Sequence, residues 1–159
     1  MKTSSFVRGG AALLLALSAM AASAQTYTKQ QLQELYSSFV TGEGFRPEIT
    51  PAGNVKFKRE GRTHVIYVDE KDPTYFRMVF AFAESDKSQA TRVRRLEAAS
   101  FATGEVKVGK AYLDPEGDPV FSAEIFTVVP GDAKAMMPRI LQIMDLTYEK
   151  YQTKFNGSR

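Results

Sequence analysis

The chain has 159 residues, a quarter of them charged, with a formal net charge of +3, a single histidine and no cysteine. That length suits one ordinary domain, and the missing thiols exclude disulfides and any cysteine-based nucleophile or metal site. Two of the positive charges, Lys2 and Arg8, sit in a leader without acids, so removing them takes +3 to +1. A domain so nearly balanced lacks the charge that nucleic-acid binding requires.

Lys2 and Arg8 precede the apolar run Ala11 to Leu17, and Ala22-Ser23-Ala24 follows as an A-x-A signal. This is the three-part layout of a secretory leader, with Ala22 and Ala24 marking cleavage before Gln25. A retained anchor is the alternative, but a spanning helix needs about 20 apolar residues. The run reaches that length only if Ser18 and Ser23 are counted. No cysteine follows it to carry a lipid. The expected location is a bacterial periplasm or the cell exterior, with no stable membrane anchor after cleavage. Removing 24 of the 159 residues leaves 135, a single domain spanning 25–159.

Within that domain Thr28 predicts a helix start, with Gln31 completing a capping box. Leu32, Leu35, Tyr36, Phe39 and Val40 then form one apolar stripe, and Gly42 and Gly44 stop it. Phe45, Pro47 and Ile49 alternate in a short strand, predicted to be an edge because proline cannot donate to a ladder. Val55 and Phe57 alternate with Lys56 and Lys58. Glu60-Gly61 turns the chain, and Thr63 to Val68 returns as a second strand. His64 shares the phase of Ile66 and Val68, which makes it a wall residue at a sheet margin rather than a base or ligand. After the Asp69 to Pro73 turn, Phe76, Met78, Phe80 and Phe82 line the inner face of another strand. Ser85 and Asp86 offer caps for a helix from about Lys87 to Thr103, with Ala90, Val93, Leu96, Ser100 and Phe101 inward, Arg92, Arg94, Arg95 and Glu97 outward, and Gly104 at its end. Val106, Val108 and Tyr112 mark a strand, Asp114 to Pro119 a turn, and Phe121, Ala123 and Ile125 the last strand. A final helix carries Met137, Ile140, Leu141, Met144, Tyr148, Tyr151 and Phe155. Pro138 is expected near its start, with Asp132 to Met136 a lead-in turn.

Several patterns invite a chemical reading and fall short of one. Gly104 to Ala111 spells a phosphate-binding loop up to its last position, where Ala111 replaces the hydroxyl residue. It also follows a helix and runs into a strand, the reverse of the required context. Asp114, Glu116 and Asp118 open like a calcium loop, but Pro119 stands where glycine is needed and Ile125 where the bidentate glutamate belongs. With one histidine and no cysteine, a zinc site around His64 would need carboxylates alone. Asp69, Glu70 and Asp72 lack the apolar enclosure that separates the pKa values of an acid–base pair. No nucleophile elbow is present. The residues therefore point to no catalytic group, metal or cofactor.

The element order is helix, three or four strands, helix, two strands, helix. The runs Gly44 to Ile49, Gly53 to Phe57 and Gly61 to Asp69, with Asp72-Pro73 and the aromatic strand after it, resemble the YbjN-like family of small bacterial proteins. Leu96 to Ala99, Val106 to Val108, Tyr112 to Asp114 and the long last helix extend the likeness over nearly the whole domain. Members often carry the label of sensory transduction regulators, and their fold resembles the type III secretion chaperones. The resemblance implies an α+β domain in which helices pack on one antiparallel sheet of about five to six strands, often as a homodimer, without a catalytic residue.

The favoured function is an exported, non-enzymatic binding or adaptor domain, chaperone-like or regulatory, that engages another polypeptide. A partner strand would add to an edge near Phe45 to Ile49, or a partner segment would enter an apolar groove between sheet and helix, to whose adaptability Met136, Met137 and Met144 are suited. Methionines on a helix stripe are also ordinary core. The alternative is a small-molecule sensor or carrier with the Phe76 to Phe82 face lining a cavity. An enzyme ranks third.

Overall fold

In the computed structural model, which describes residues 26–157, helix α1 (Lys29–Gly42) begins at its capping box. The Gln31 amide donates to Thr28 Oγ1 at 3.2 Å, and the Thr28 amide donates to Gln31 Oε1 at 2.9 Å. Leu32, Tyr36, Phe39 and Val40 are buried, as their spacing predicts. The short strand β1 (Glu48–Ile49) follows, then β2 (Val55–Arg59) and β3 (Arg62–Ile66). Glu60 and Gly61 join the last two with φ of +51° and +74°. Two successive positive φ values make a tight turn whose twist matches the flanking strands.

Strand β4 (Tyr75–Ala81) leads to α2 (Gln89–Glu105), and β5 (Gly109–Leu113) and β6 (Pro119–Phe126) complete the sheet. The order is β1-β2-β3-β4-β6-β5, and every neighbouring pair is antiparallel. A 3-10 turn (Pro130–Asp132) introduces α3 (Ala133–Gly157). This is an α+β fold with six strands and three helices. Strand residues of one phase, including Phe57, His64, Phe76, Phe80 and Phe121, point into the core with the helices. Phe80 is its centre: its ring lies 5.0 Å from Phe121, 5.1 Å from His64 and 5.9 Å from Tyr148. Each such buried aromatic contributes about 2 kcal/mol or more of transfer free energy.

Five expectations need correction. Helix α2 buries Arg95, expected outward, with Ala98, Ala99 and Ala102, while Ala90, Val93, Leu96, Ser100 and Phe101, all expected inward, are exposed. Its N-cap is Ser88, and it runs through Gly104 to Glu105. Helix α3 starts five residues before Pro138, because buried Ala133 and Met137 hold its first turn on the core. Packing there outweighs the one backbone bond that proline removes. Val106 closes α2 and Val108 lies in the connection, so neither belongs to β5. His64 is fully buried in the third strand of six and not at a margin.

Candidate interaction surface

The two edges of the sheet differ. At β5, Thr103 of α2 lies against the outer side of the strand: the Ala111 amide donates to Thr103 Oγ1 at 2.9 Å, and the same hydroxyl donates to the Ala111 carbonyl at 3.0 Å. One side chain thus satisfies the donor and the acceptor that an incoming strand would need there. At the opposite edge, β1 pairs with β2 through Glu48↔Lys56 and Ile49↔Val55 only. The Thr50 amide bonds to the Asn54 carbonyl at 2.9 Å. Alternation along an antiparallel ladder therefore turns the Ile49 N–H and C=O outward, away from β2. Ile49 is 49% exposed. Pro47, with no N–H, precedes the two paired residues, and Phe45 turns inward to stack on Phe57 at 5.4 Å. Of the two edge residues singled out from the sequence, Ile49 is presented to solvent, whereas Phe45 is half-buried and anchors the segment.

The three methionines do not form one surface. Met137 and Met144 are fully buried in the core, while Met136 is exposed near the start of α3. A nearby open trough of about 550 Å³ lies between the end of α1 and the start of α3, lined by Phe39, Gly42, Glu43, Lys134 and Pro138 among others. Met136 is not part of its wall. Ala22, Ala24 and Gln25 lie outside the described residues. Among the described residues no helix is long and apolar enough to cross a membrane.

The densest polar cluster lies where the β2–β3 hairpin meets α3, and sequence spacing gave no sign of it. Arg59 donates through both terminal nitrogens to Asp145, at 2.8 and 2.7 Å, and Arg62 Nη2 reaches Asp145 Oδ1 at 3.0 Å. Glu60 pairs with both arginines, at 3.1 and 2.6 Å. The Arg62 guanidinium also lies over the Phe80 and Tyr148 rings, 5.2 and 5.3 Å from their centres. Burial pushes the Asp145 carboxyl up, but the Arg59 hydrogen bond and the two positive charges outweigh it and hold the group below the usual carboxylate range. Such a carboxylate is a poor proton acceptor.

His64 lies beneath this clamp between Phe57 and Phe80, both 5.1 Å away. Neither ring nitrogen makes a hydrogen bond of normal geometry. Desolvation lowers its pKa to about 4, aided by the Arg62 and Arg59 charges and opposed by the Arg62 main chain and Asp145. The imidazole is therefore neutral near pH 7. The arrangement locks a hairpin to a helix, since its acid is already paired and its histidine is sealed from solvent.

The near-motifs take structural positions. Gly104 to Ala111 spans the end of α2, the connection and the start of β5. Asp114 Oδ1 accepts the Asp118 amide at 2.8 Å, and Asp118 in turn pairs with Lys87 and accepts the Glu84 amide. Buried Arg95 reaches the Gly117 carbonyl at 3.4 Å and Glu84 at 3.5 Å, tying this turn to the start of α2. Among the described residues no group of three or more histidines or acids is placed to hold a metal. On the sheet face opposite the core, Arg77 donates to the Tyr112 hydroxyl at 2.6 Å and lies 4.7 Å from the Tyr67 ring. Its Nε comes within 3.5 Å of Glu124, which also pairs with Lys110. No protein-family model matches this chain, and comparison with curated proteins gave no match.

Proposed function

We propose that the chain is an exported, non-enzymatic binding module that takes up a segment of another polypeptide as an added strand beside β1. The observation that carries this reading is the contrast between the two sheet edges. At the middle of the β5 edge the outward N–H and C=O of Ala111 are occupied by Thr103, whereas the Ile49 N–H and C=O face solvent beside an exposed apolar side chain. Main-chain bonding of this kind supplies affinity, and the alternate side chains supply selectivity. Lys56 and Glu48 pair at 3.1 Å alongside, with Arg46 and Lys58 exposed nearby, so an extended segment of mixed apolar and acidic character fits the edge. The sequence resemblance to the YbjN-like family and the export leader agree with a regulatory or chaperone-like task outside the cytoplasm. The open form of the trough between α1 and α3 favours this reading over a small-molecule carrier, which needs an enclosed chamber.

The test is a screen of extended peptides against the purified protein, followed by Ile49→Pro. That change deletes the outward N–H without touching a bond of the β1–β2 ladder. Peptides that bind the wild type should lose affinity for Ile49→Pro and on backbone N-methylation. Binding that survives both changes would refute strand addition at this edge.

A further inference from the structure

On the sheet face turned away from the helices, where the chain leaves β3 and enters β4, Tyr67, Val68, Asp69, Tyr75 and Arg77 line a half-enclosed cavity of about 200 Å³. That is below the range of about 300 to 1,000 Å³ usual for drug-sized ligands, so an occupant must be small. An acid and a base share this space without pairing with one another. Arg77 is braced by the Tyr112 hydroxyl at 2.6 Å from Nη2, by Glu124 at 3.5 Å from Nε and by the Tyr67 ring, while its Nη1 makes no hydrogen bond among the described residues. Glu124 also pairs with Lys110, so two cations draw on one acid. Asp69 accepts the Lys71 amide through Oδ1 at 2.9 Å, and its Oδ2 has no hydrogen bond or ion pair among the described residues. The neighbouring acids are engaged, Glu70 by the Lys29 amide at 3.2 Å and Asp72 by the Thr74 hydroxyl at 3.1 Å.

We infer that this cavity binds a small zwitterion, a free α-amino acid with an aromatic or branched apolar side chain. The ligand carboxylate bonds to Arg77 Nη1, its ammonium bonds to Asp69 Oδ2, and its side chain rests among Tyr67, Val68 and Tyr75. Opposite charges set apart in one cavity match a molecule that carries both. A simple anion would instead meet Asp69, and a simple cation Arg77, so each is disfavoured by the group it leaves unpaired. Charge-assisted hydrogen bonds fix the ligand's orientation, and the tyrosine rings give its apolar part a surface to cover. No residue of β1 lines the cavity, so this site is independent of strand addition at that edge.

Titration of the isotope-labelled protein with L-phenylalanine, followed by heteronuclear NMR, tests this beside hydrocinnamate, which lacks only the ammonium, and phenethylamine, which lacks only the carboxylate. L-phenylalanine should bind with a dissociation constant on the order of 1 mM or below, shifting the amides of Tyr67 to Asp69 and Tyr75 to Arg77, and each analogue should bind about tenfold more weakly or worse. Asp69→Asn keeps an acceptor for the Lys71 amide and removes the charge. It should weaken L-phenylalanine about tenfold and leave hydrocinnamate no weaker. Arg77→Gln should weaken L-phenylalanine and hydrocinnamate together. Circular dichroism verifies that each variant folds, and exposed Asp69 keeps the test decisive even if losing Arg77 disturbs the sheet. Absence of saturable shifts at about 10 mM L-phenylalanine would overturn the proposal. So would shifts centred elsewhere, an analogue that binds as tightly as the zwitterion, or an Asp69→Asn variant with undiminished affinity for L-phenylalanine.

Discussion

Acid should weaken this protein earlier than its carboxylates alone dictate, because of His64. The unfolded chain titrates this histidine near its ordinary 6.5, whereas in the folded core burial lowers the value to about 4. Between those values the unfolded chain holds a proton that the folded chain lacks, so stability rises with pH across the window. The contribution is complete above about pH 6.5 and is lost as pH falls towards 4. A shift of this size corresponds to about 3 kcal/mol in total, of which about 2 kcal/mol is gone by pH 5. Arg59, Arg62 and Asp145 are the charged groups around the ring, and the first two oppose its protonation. The carboxylates whose pKa values are held low, among them Asp145 and Asp86, lose their contributions at lower pH. Urea unfolding followed by far-ultraviolet circular dichroism at pH 7.5 and 5.0 measures the effect. His64→Phe, which preserves stacking on Phe57 and Phe80, should lose about 2 kcal/mol less than the wild type over that interval. Because the chain has a single histidine, its two ring C–H resonances can be titrated directly without ambiguity of assignment. Equal acid losses in the two proteins, or a resonance titrating near 6.5, would refute the reasoning.

Other perturbations have equally defined outcomes. Val108 holds φ at +71°, a costly position for a β-branched residue, so Val108→Gly should stabilise by about 1 kcal/mol in urea unfolding despite the added freedom of the unfolded chain. Gly109→Ala should destabilise by about 2 kcal/mol, since a Cβ there would lie 2.1 Å from Thr147 Oγ1 and 3.2 Å from Ile143 Cγ2. Adding Thr147→Ala should return part of that loss, as a double-mutant cycle would show. Asp145→Asn should cost about 1 to 2 kcal/mol, because it leaves two partly buried arginines facing a neutral group; the cost should shrink in high salt. Thr103→Val keeps the shape of the side chain but frees the Ala111 backbone, and light scattering should detect more self-association than in the wild type.

The parts of the fold that could be read locally are those in which apolar periodicity and the buried face coincide. In α1 the stripe, the cap and the glycine stop agree, and in β4 the alternation of Phe76, Met78 and Phe80 leaves one choice of inner face. Helix α2 defeats the same reasoning, because hydrophobic spacing follows Val93 and Leu96 while the side against α3 and β5 is made of alanines that permit close approach. Pro138 misled for a related reason: the helix start is set by where Ala133 and Met137 can be buried, which local backbone rules do not contain. The phase of His64 was legible, but its depth follows from β4 pairing with β6, a long-range choice. The arginine clamp joins residues 86 positions apart, so nothing near Arg59 announces Asp145. The Ile49 edge could be anticipated because Pro47 beside it limits pairing from within the chain.

The Thr103 staple on β5 limits how far this protein can polymerise. A chain of sheets joined side to side needs every member to offer two free flanks, one to give and one to receive. Here the middle of one flank is already taken from within, so joining through the other flank is favoured to end at a pair, and a ribbon extended past β5 needs the hydroxyl to let go of Ala111 first.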